Sequence, residues 1–312
     1  AVNGVYGDYL ERTGNPLALC RERRREVRLL VCHPLGEQVA VAPHLAPDDP
    51  DRVRAGLAVD RDVDLATAVH PHDVGLHLGG VDGGADVAVY AGHADAVELC
   101  LFDPGDRAGT SERRVPLLER AHGWWFGFVP GVHAGQRYGF RAHGAWSPDQ
   151  GLRHNPAKLL LDPYAKALDG KVRWGPEVYG HVVDKGWHGD GELISDLDSR
   201  GRMPRCVVVD DRFDWEGDLA PNRSRSESVI YEAHVRNQTV LHPGVPPELR
   251  GTYAGLAHPA SVAHLTDLGV TAVELLPIHA FTHEPHLVRR GLTNHWGYNT
   301  LGFFAPHAPY AA

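Results

Sequence analysis

The sequence predicts a multi-domain protein in which an all-β sandwich is followed by the truncated start of a (β/α)8 TIM barrel. Short apolar runs of period two, separated by Gly, Pro and Asp, occupy residues 73–218, and one strand-helix-strand pattern occupies 229–277. The first pattern is typical of antiparallel sandwiches, and the second is typical of parallel α/β sheets. The chain has 312 residues and 43% hydrophobic content, which suggests two or three structural units.

The sandwich prediction covers residues 73–218 and includes a linker. Alternating apolar positions identify its strands: Val87 and Val89; Val97, Leu99 and Leu101; Trp124, Phe126 and Phe128; Tyr138 and Phe140. The later part, 155–218, is rich in residues typical of loops, and we interpret it as a linker that wraps on the next domain. Its acidic stretch, 184–198, lacks the ligand series of an EF-hand, so we interpret it as an exposed loop.

The barrel prediction covers residues 219–312. Strand candidates at 229–235 and 270–277 flank a helix candidate at 259–268, which has Val262, Leu265 and Leu268 on one face, Pro259 in its first turn and Gly269 as its stop. A closed barrel needs about 250 residues, and the chain from 229 onward is about a third as long. We therefore expect roughly two of eight strands, with an unpaired apolar edge at 270–276.

Residues 1–72 form an amino-terminal segment that we leave unassigned. A charged run at 21–28 is either a basic docking site or, as we favour, a solvated helix face, and 27–31 is a short strand candidate. Because the chain starts without Met and ends in the middle of a predicted fold, we treat it as a possible fragment.

Charge and composition exclude several classes of function. The formal net charge of −9 argues against a non-specific nucleic-acid binder. The sequence has no apolar stretch long enough for a membrane span or a signal peptide, and its four cysteines form no C-x-x-C pair, so the expected location is the cytoplasm.

His279, His283 and His286 match no closed zinc pattern, and no phosphate loop is present. We expect neither a metal nor a cofactor.

Several long stretches, taken in order, carry a family resemblance. From about residue 73 onward the chain resembles the amino-terminal half of bacterial glycogen debranching enzymes, in the isoamylase branch of the α-amylase family. The stretches are Val97-Glu-Leu-Cys-Leu-Phe-Asp103, Gly135-Gln-Arg-Tyr-Gly-Phe-Arg141, 155–164, Tyr231-Glu-Ala-His-Val-Arg236, Gly251-Thr-Tyr-Ala-Gly-Leu256, 271–277 and Trp296-Gly-Tyr-Asn-Thr-Leu-Gly-Phe-Phe304. The resemblance implies a family 48 carbohydrate-binding module followed by a catalytic barrel.

The resemblance also implies retaining hydrolysis of α-1,6 branch linkages in glycogen or limit dextrin. The family's catalytic Asp, Glu and Asp follow later barrel strands, so they would lie beyond residue 312, and we expect the chain to be inactive alone. The Asn294-His295 pair lacks the strand context of the family's D-x-x-x-N-H motif. No residue of this chain is assigned a catalytic role.

The substrate-binding residues that the resemblance implies are Tyr298, which would stack on a sugar ring beside the cleaved bond, and Trp296, a candidate with a structural alternative. The chain departs from the family pattern at His295, where Tyr is usual, and at Asn237-Gln238, where Gly and an apolar residue are usual. The implied partner is glycogen or a branched α-glucan.

Three readings stay open beside a debranching fragment. The chain could be a non-catalytic glucan-binding protein, or part of a branching enzyme or of a trehalose-releasing relative, although the run 246–277 favours debranching.

Trp124, Trp125 and Trp146 could form a glycan platform on the sandwich, but we favour packing roles because alternation points one of Trp124 and Trp125 inward.

Overall fold

The computed structural model describes residues 75–78, 83–184, 188–210, 212–219 and 221–312. The charged run at 21–28 and the strand candidate at 27–31 lie outside the described residues. No helix in the described part of the chain is long and apolar enough to cross a bilayer.

Most of the regular elements before residue 208 are strands. In chain order they are β1 (Gly75–Leu78), β2 (Gly84–Tyr90), β3 (Ala96–Phe102), β4 (Arg113–Pro116), β5 (Glu119–Ala121), β6 (Trp124–Pro130), β7 (Arg137–His143), β8 (Trp146–Ser147), β9 (Leu152–Arg153), β10 (Leu168–Asp169), β11 (His181–Val183), β12 (Gly189–Ile194) and β13 (Arg205–Val207).

Two antiparallel sheets enclose one apolar core, as a sandwich requires. The first sheet has the order β1-β2-β6-β5 and the second the order β10-β13-β7-β3-β4. Buried Val87 and Val129 of the first sheet belong to the same hydrophobic cluster as Leu99, Leu101 and Phe140 of the second. The predicted sandwich is therefore confirmed.

The alternating runs identify the strands but not always the buried face. The runs on β2, β3 and β7 are buried. On β6 the buried residues are Trp125 and Val129, whereas Phe128 is 47% exposed. Because β2 pairs with β6 in a register that sets Val89 opposite Trp125, the aromatic run of β6 lies on the outer face. One of the two Trp side chains points inward, as predicted, and the structure identifies it as Trp125.

The interpretation of 155–218 as a loop-rich linker is partly wrong, because this segment adds two strands to the sandwich. β13 pairs with β7, with Cys206 opposite Tyr138, and β10 pairs with β13. Cys206 and Val208 belong to the main core cluster. Strands of two or three residues are too short to show a period of two, so the sequence gives no sign of them.

The acidic stretch at 184–198 is likewise not wholly an exposed loop. β11 and β12 form a hairpin there, and Asp198 pairs with Arg141, whose side chain is fully buried. Arg141 also donates to both carboxylate oxygens of Glu112, at 2.6 and 2.8 Å, and to the Pro156 carbonyl at 2.7 Å. Burial opposes ionisation of Glu112, but the hydrogen bond and charge of Arg141 outweigh it and lower the Glu112 pKa to about 2. This ionic cluster ties the linker to the centre of the second sheet.

The region after residue 229 mixes helices and strands. In chain order they are β14 (Ile230–Ala233), α1 (Val235–Thr239), α2 (Tyr253–Leu256), α3 (Pro259–Asp267), β15 (Ala272–Leu275), β16 (His279–Phe281), α4 (Pro285–Arg289) and β17 (Thr300–Pro306). β14 and β15 are parallel, and β16 and β17 are antiparallel.

The predicted strand-helix-strand unit is confirmed, with shorter strands. β14 ends before 235 because the His234 imidazole caps α1 by accepting from the Arg236 and Asn237 amides. On α3 only Leu265 of the predicted apolar face is buried, since Val262 is 48% and Leu268 56% exposed. Among the described residues β15 pairs with β14 alone, so its other edge is unpaired, as expected.

Gly255 in α2 provides a stability test in which two effects have opposite signs. We expect Gly255→Ala to destabilise the protein by about 1–3 kcal/mol, because a Cβ there would lie 2.1 Å from the Leu249 carbonyl oxygen. Helix propensity alone would instead give a gain of up to about 1 kcal/mol. Urea denaturation measures the change. Gly191→Ala is the control, because its Cβ would meet nothing within 4 Å, and a stabilised Gly255→Ala variant would contradict the prediction.

Candidate functional site

The loop that carries Trp296 and Tyr298 lies between α4 and β17 and is fastened to the segment after β16. Thr282 and Asn299 exchange two hydrogen bonds: the Thr282 amide donates to the Asn299 carbonyl at 3.0 Å, and the Asn299 Nδ2 donates to the Thr282 carbonyl at 3.1 Å. At the other end of the loop, Asn294 Nδ2 donates to Glu284 Oε1 at 2.8 Å. Both ends of the loop are thereby fixed.

A tight turn inside this loop presents the two aromatic rings to solvent. Asn294 Oδ1 accepts from the Gly297 amide at 2.8 Å, and Gly297 has a φ of +80°. A Cβ at Gly297 would lie 3.1 Å from the Pro277 carbonyl oxygen and from the Phe281 ring, which is tighter than an ordinary contact, and the positive φ itself favours glycine. On either side of it, Trp296 is 55% and Tyr298 63% exposed. The Trp296 ring also packs edge-on against the His234 and His295 rings, with centroids 6.2 and 5.2 Å apart, so its binding role and its packing alternative both stay predictions.

His234, at the carboxyl end of β14, connects that strand to the same loop. Its Nδ1 accepts from the Arg236 and Asn237 amides at 3.1 and 3.3 Å, so the proton resides on Nε2. Nε2 lies 2.8 Å from the His295 carbonyl oxygen and donates to it. The two imidazoles also stack, with centroids 4.4 Å apart and planes at 4°. The strand end and the aromatic loop thus form one unit.

The two places where the sequence departs from the family pattern contact each other. Asn237 Nδ2 lies 3.2 Å from His295 Nε2. Burial, followed by the nearby His234 and Arg236, lowers the His295 pKa, which favours the neutral imidazole that can accept this hydrogen bond. The sequence analysis identified both departures from the family pattern but not the contact between them, and it assigned no role to His234.

The metal alternative has no support from the described residues, which contain no group of three or more His, Cys, Asp or Glu side chains placed to hold an ion. His283 instead accepts from the Asn294 amide at 3.1 Å. His279 is half-buried, and burial lowers its pKa.

Comparison with known proteins supports the resemblance. Residues 73–165 match the family described as "Carbohydrate-binding module 48 (Isoamylase N-terminal domain)". The chain is 48% identical over 229 residues to the glycogen debranching enzyme of Cronobacter sakazakii, covering 73% of this chain and 33% of that protein. It is 46% identical over 230 residues to a glycogen operon protein GlgX homolog of Mycobacterium tuberculosis, covering 73% and 31%. The chain spans about one third of the length of these relatives, and its resemblance to glycogen debranching enzymes over their amino-terminal part is confirmed.

Solved structures support the fold. A Bacillus subtilis type I pullulanase complexed with maltose has a TM-score of 0.51 at 23% identity, covering 77% of this chain and 28% of that one. The product complex of the pneumococcal glycogen-degrading virulence factor SpuA has a TM-score of 0.54 at 21% identity, covering 76% and 23%. At these identities the likeness concerns the fold alone.

Proposed function

We propose that this chain is the glucan-binding amino-terminal part of a cytoplasmic glycoside hydrolase that removes α-1,6-linked branches from glycogen or limit dextrin by a retaining mechanism. The observation that carries the proposal is the rigid presentation of exposed Trp296 and Tyr298 beside the end of β14. A sugar ring offers an apolar C–H face that packs well on an aromatic ring. The debranching enzymes that the chain resembles supply the substrate class.

The position of the aromatic loop supports the barrel part of this proposal. In (β/α)8 barrels the active site lies at the carboxyl ends of the strands. His234 directly follows β14, and Gly297 packs on Pro277, two residues after the end of β15. The loop therefore lies over the carboxyl ends of the two parallel strands, where one wall of a barrel active site belongs.

The proposal divides binding from cleavage. A retaining glycosidase needs two carboxyl groups about 5–5.5 Å apart, one as nucleophile and one as acid and base. We assign both to barrel strands beyond residue 312. The residues described here then bind the glucan and orient it, and they leave proton transfer and nucleophilic attack to the later strands.

Binding and cleavage assays on the 312-residue chain test this division. We expect the chain to bind maltoheptaose in titration calorimetry while releasing no linear chains from glycogen. Tyr298→Ala should weaken binding about 2-fold to 13-fold, since an aromatic contact contributes about 0.5–1.5 kcal/mol.

The matched control is Phe213→Ala, because Phe213 is 69% exposed but lies in the segment before β14. Equal affinity of Tyr298→Ala and the unmodified chain would refute the assigned role of Tyr298. Release of linear chains from glycogen would refute the assignment of catalysis to later strands.

A further inference from the structure

A cleft separate from the Tyr298 wall lies where the segment after β9 meets β16 and β17. It contains a cavity of about 360 Å³ whose lining includes Trp146, Arg153, Trp174, Tyr179, His181 and Asn299. A second cavity of about 380 Å³ shares Val172, Trp174, Thr282 and Leu301 with the first. Each volume falls in the range of small-ligand sites, about 300–1,000 Å³. Because the lining of both includes Trp174, the two form one cleft around this indole.

The aromatic rings of the cleft are held by the backbone of neighbouring segments. Trp174 Nε1 donates to the His283 carbonyl at 2.7 Å, and its ring tilts against Tyr179 with centroids 6.1 Å apart. Trp146 Nε1 donates to the Glu192 carbonyl at 2.9 Å. A Cβ at Gly180 would lie 3.1 Å from the Trp146 ring, so the glycine lets that ring lie against the backbone. Rings fixed before binding reduce the entropy lost when a ligand docks.

Polar groups at the cleft are available to a ligand. Within the described residues, Arg153 and His181 make no side-chain hydrogen bond or ion pair, and Asn299 uses its Nδ2 but not its Oδ1. A guanidinium donates, an amide oxygen accepts, and an imidazole can do either. By contrast, the Lys158 ammonium is already bonded to the carbonyls of Glu177 and Leu197. The free groups suit a neutral ligand with many hydroxyls.

We propose that this cleft binds a short stretch of α-glucan, two or three glucose units long, with Trp174 as its main stacking surface. The inference rests on the proposed function for the class of ligand. The apolar rings match the C–H faces of glucose, and the free polar groups match its hydroxyls. Asn299 follows Tyr298 in the chain and lines the cleft, so the glucan held here lies close to the branch-binding wall. The cleft thereby adds a second point of attachment on the same substrate.

Maltotriose titration of the 312-residue chain tests the cleft. Trp174→Ala should lower the affinity of the cleft at least about 5-fold, and Trp174→Phe, which keeps a stacking ring, should restore most of it. Arg153→Ala should also weaken binding, and because Arg153 is exposed this variant keeps the test valid if Trp174→Ala does not fold. Trp215→Ala is the control, since Trp215 is 47% exposed and lies outside the cleft.

The outcomes separate the two proposals. Loss of maltotriose binding with Trp174→Ala or Arg153→Ala, and not with Trp215→Ala, supports the cleft. Binding that depends on Tyr298 but on neither Trp174 nor Arg153 overturns the cleft and leaves the proposed function standing. Binding that depends on none of these three residues overturns both. Inorganic phosphate that binds in an Arg153-dependent way, while maltotriose does not bind, would show an anion site instead and overturn the glucan assignment.

Discussion

Arg141→Met is expected to destabilise the sandwich by about 3–5 kcal/mol, because it leaves the Glu112 carboxylate in a site built around its cation. The Arg141 side chain is fully buried and that of Glu112 is 2% exposed, so water cannot replace the lost partner. The same substitution releases Asp198 and the Pro156 carbonyl. Urea denaturation followed by circular dichroism at neutral pH measures the loss.

Arg114→Met is the matched control for this prediction. Arg114 bonds the same Glu112 oxygen at 2.9 Å, but its own side chain is 38% exposed. Exposed ion pairs contribute about 0–1 kcal/mol, so this variant should lose no more than that. Similar losses for the two variants would show that the buried geometry of Arg141 is not what stabilises the fold.

The pH dependence of the same cluster follows from the Glu112 pKa, which Arg141 lowers from its ordinary value of 4.5 to about 2 against the effect of burial. A carboxyl group with a lowered folded-state pKa stabilises the fold above its unfolded-state pKa and loses that contribution as the pH falls through the folded value. The destabilisation caused by Arg141→Met should therefore be full at pH 7 and shrink between about pH 4.5 and 2.

Trp125→Ala should cost about 3–5 kcal/mol, the usual range for removing a large aromatic side chain from a core. Trp125 is 7% exposed, its Nε1 donates to the Ala91 carbonyl at 3.1 Å, and the Arg120 guanidinium lies 5.0 Å from the ring centroid. The substitution leaves a cavity between the two sheets and removes one of the two hydrogen bonds that the Ala91 carbonyl accepts, since the Ala94 amide still donates to it at 3.0 Å. Thermal and urea denaturation both report the change.

Its neighbour Trp124 supplies a control of the same residue type. Trp124 lies on the outer face, where it packs edge-on against Tyr90 with centroids 5.6 Å apart. We expect Trp124→Ala to cost about 1 kcal/mol, the contribution of one aromatic pair beyond its burial. If Trp124→Ala proved the more damaging variant, the orientation of β6 would be wrong.

The sequence predicted strands better than it predicted which face of a strand is buried. The alternation in Leu99 and Leu101 and that in Phe126 and Phe128 look alike, yet the first run is buried and the second faces outward. Alternation reports that one face differs from the other, and only the pairing partners decide which face meets the opposite sheet.

The candidate site was predictable where residues near in sequence make it, and not where distant residues do. The candidate role of Tyr298 followed from the resemblance of the short motif that begins at Trp296, whereas the turn at Gly297 was seen only in the structure. The hydrogen bonds of His295 with His234 and Asn237 join positions 61 and 58 residues apart, and no local pattern marks them. Contacts of this kind depend on how β14 and the loop meet in space.

The strand order of the second sheet sets where the folded module can be cut. The family match ends at residue 165, so it leaves out β10 and β13, which come later in the chain. A polypeptide released at that point would expose the edge of β7 and would lack Cys206 and Val208 from its core. The smallest segment that keeps this sandwich whole therefore extends through Val208, and a unit excised by sequence similarity alone would expose an open edge for self-association.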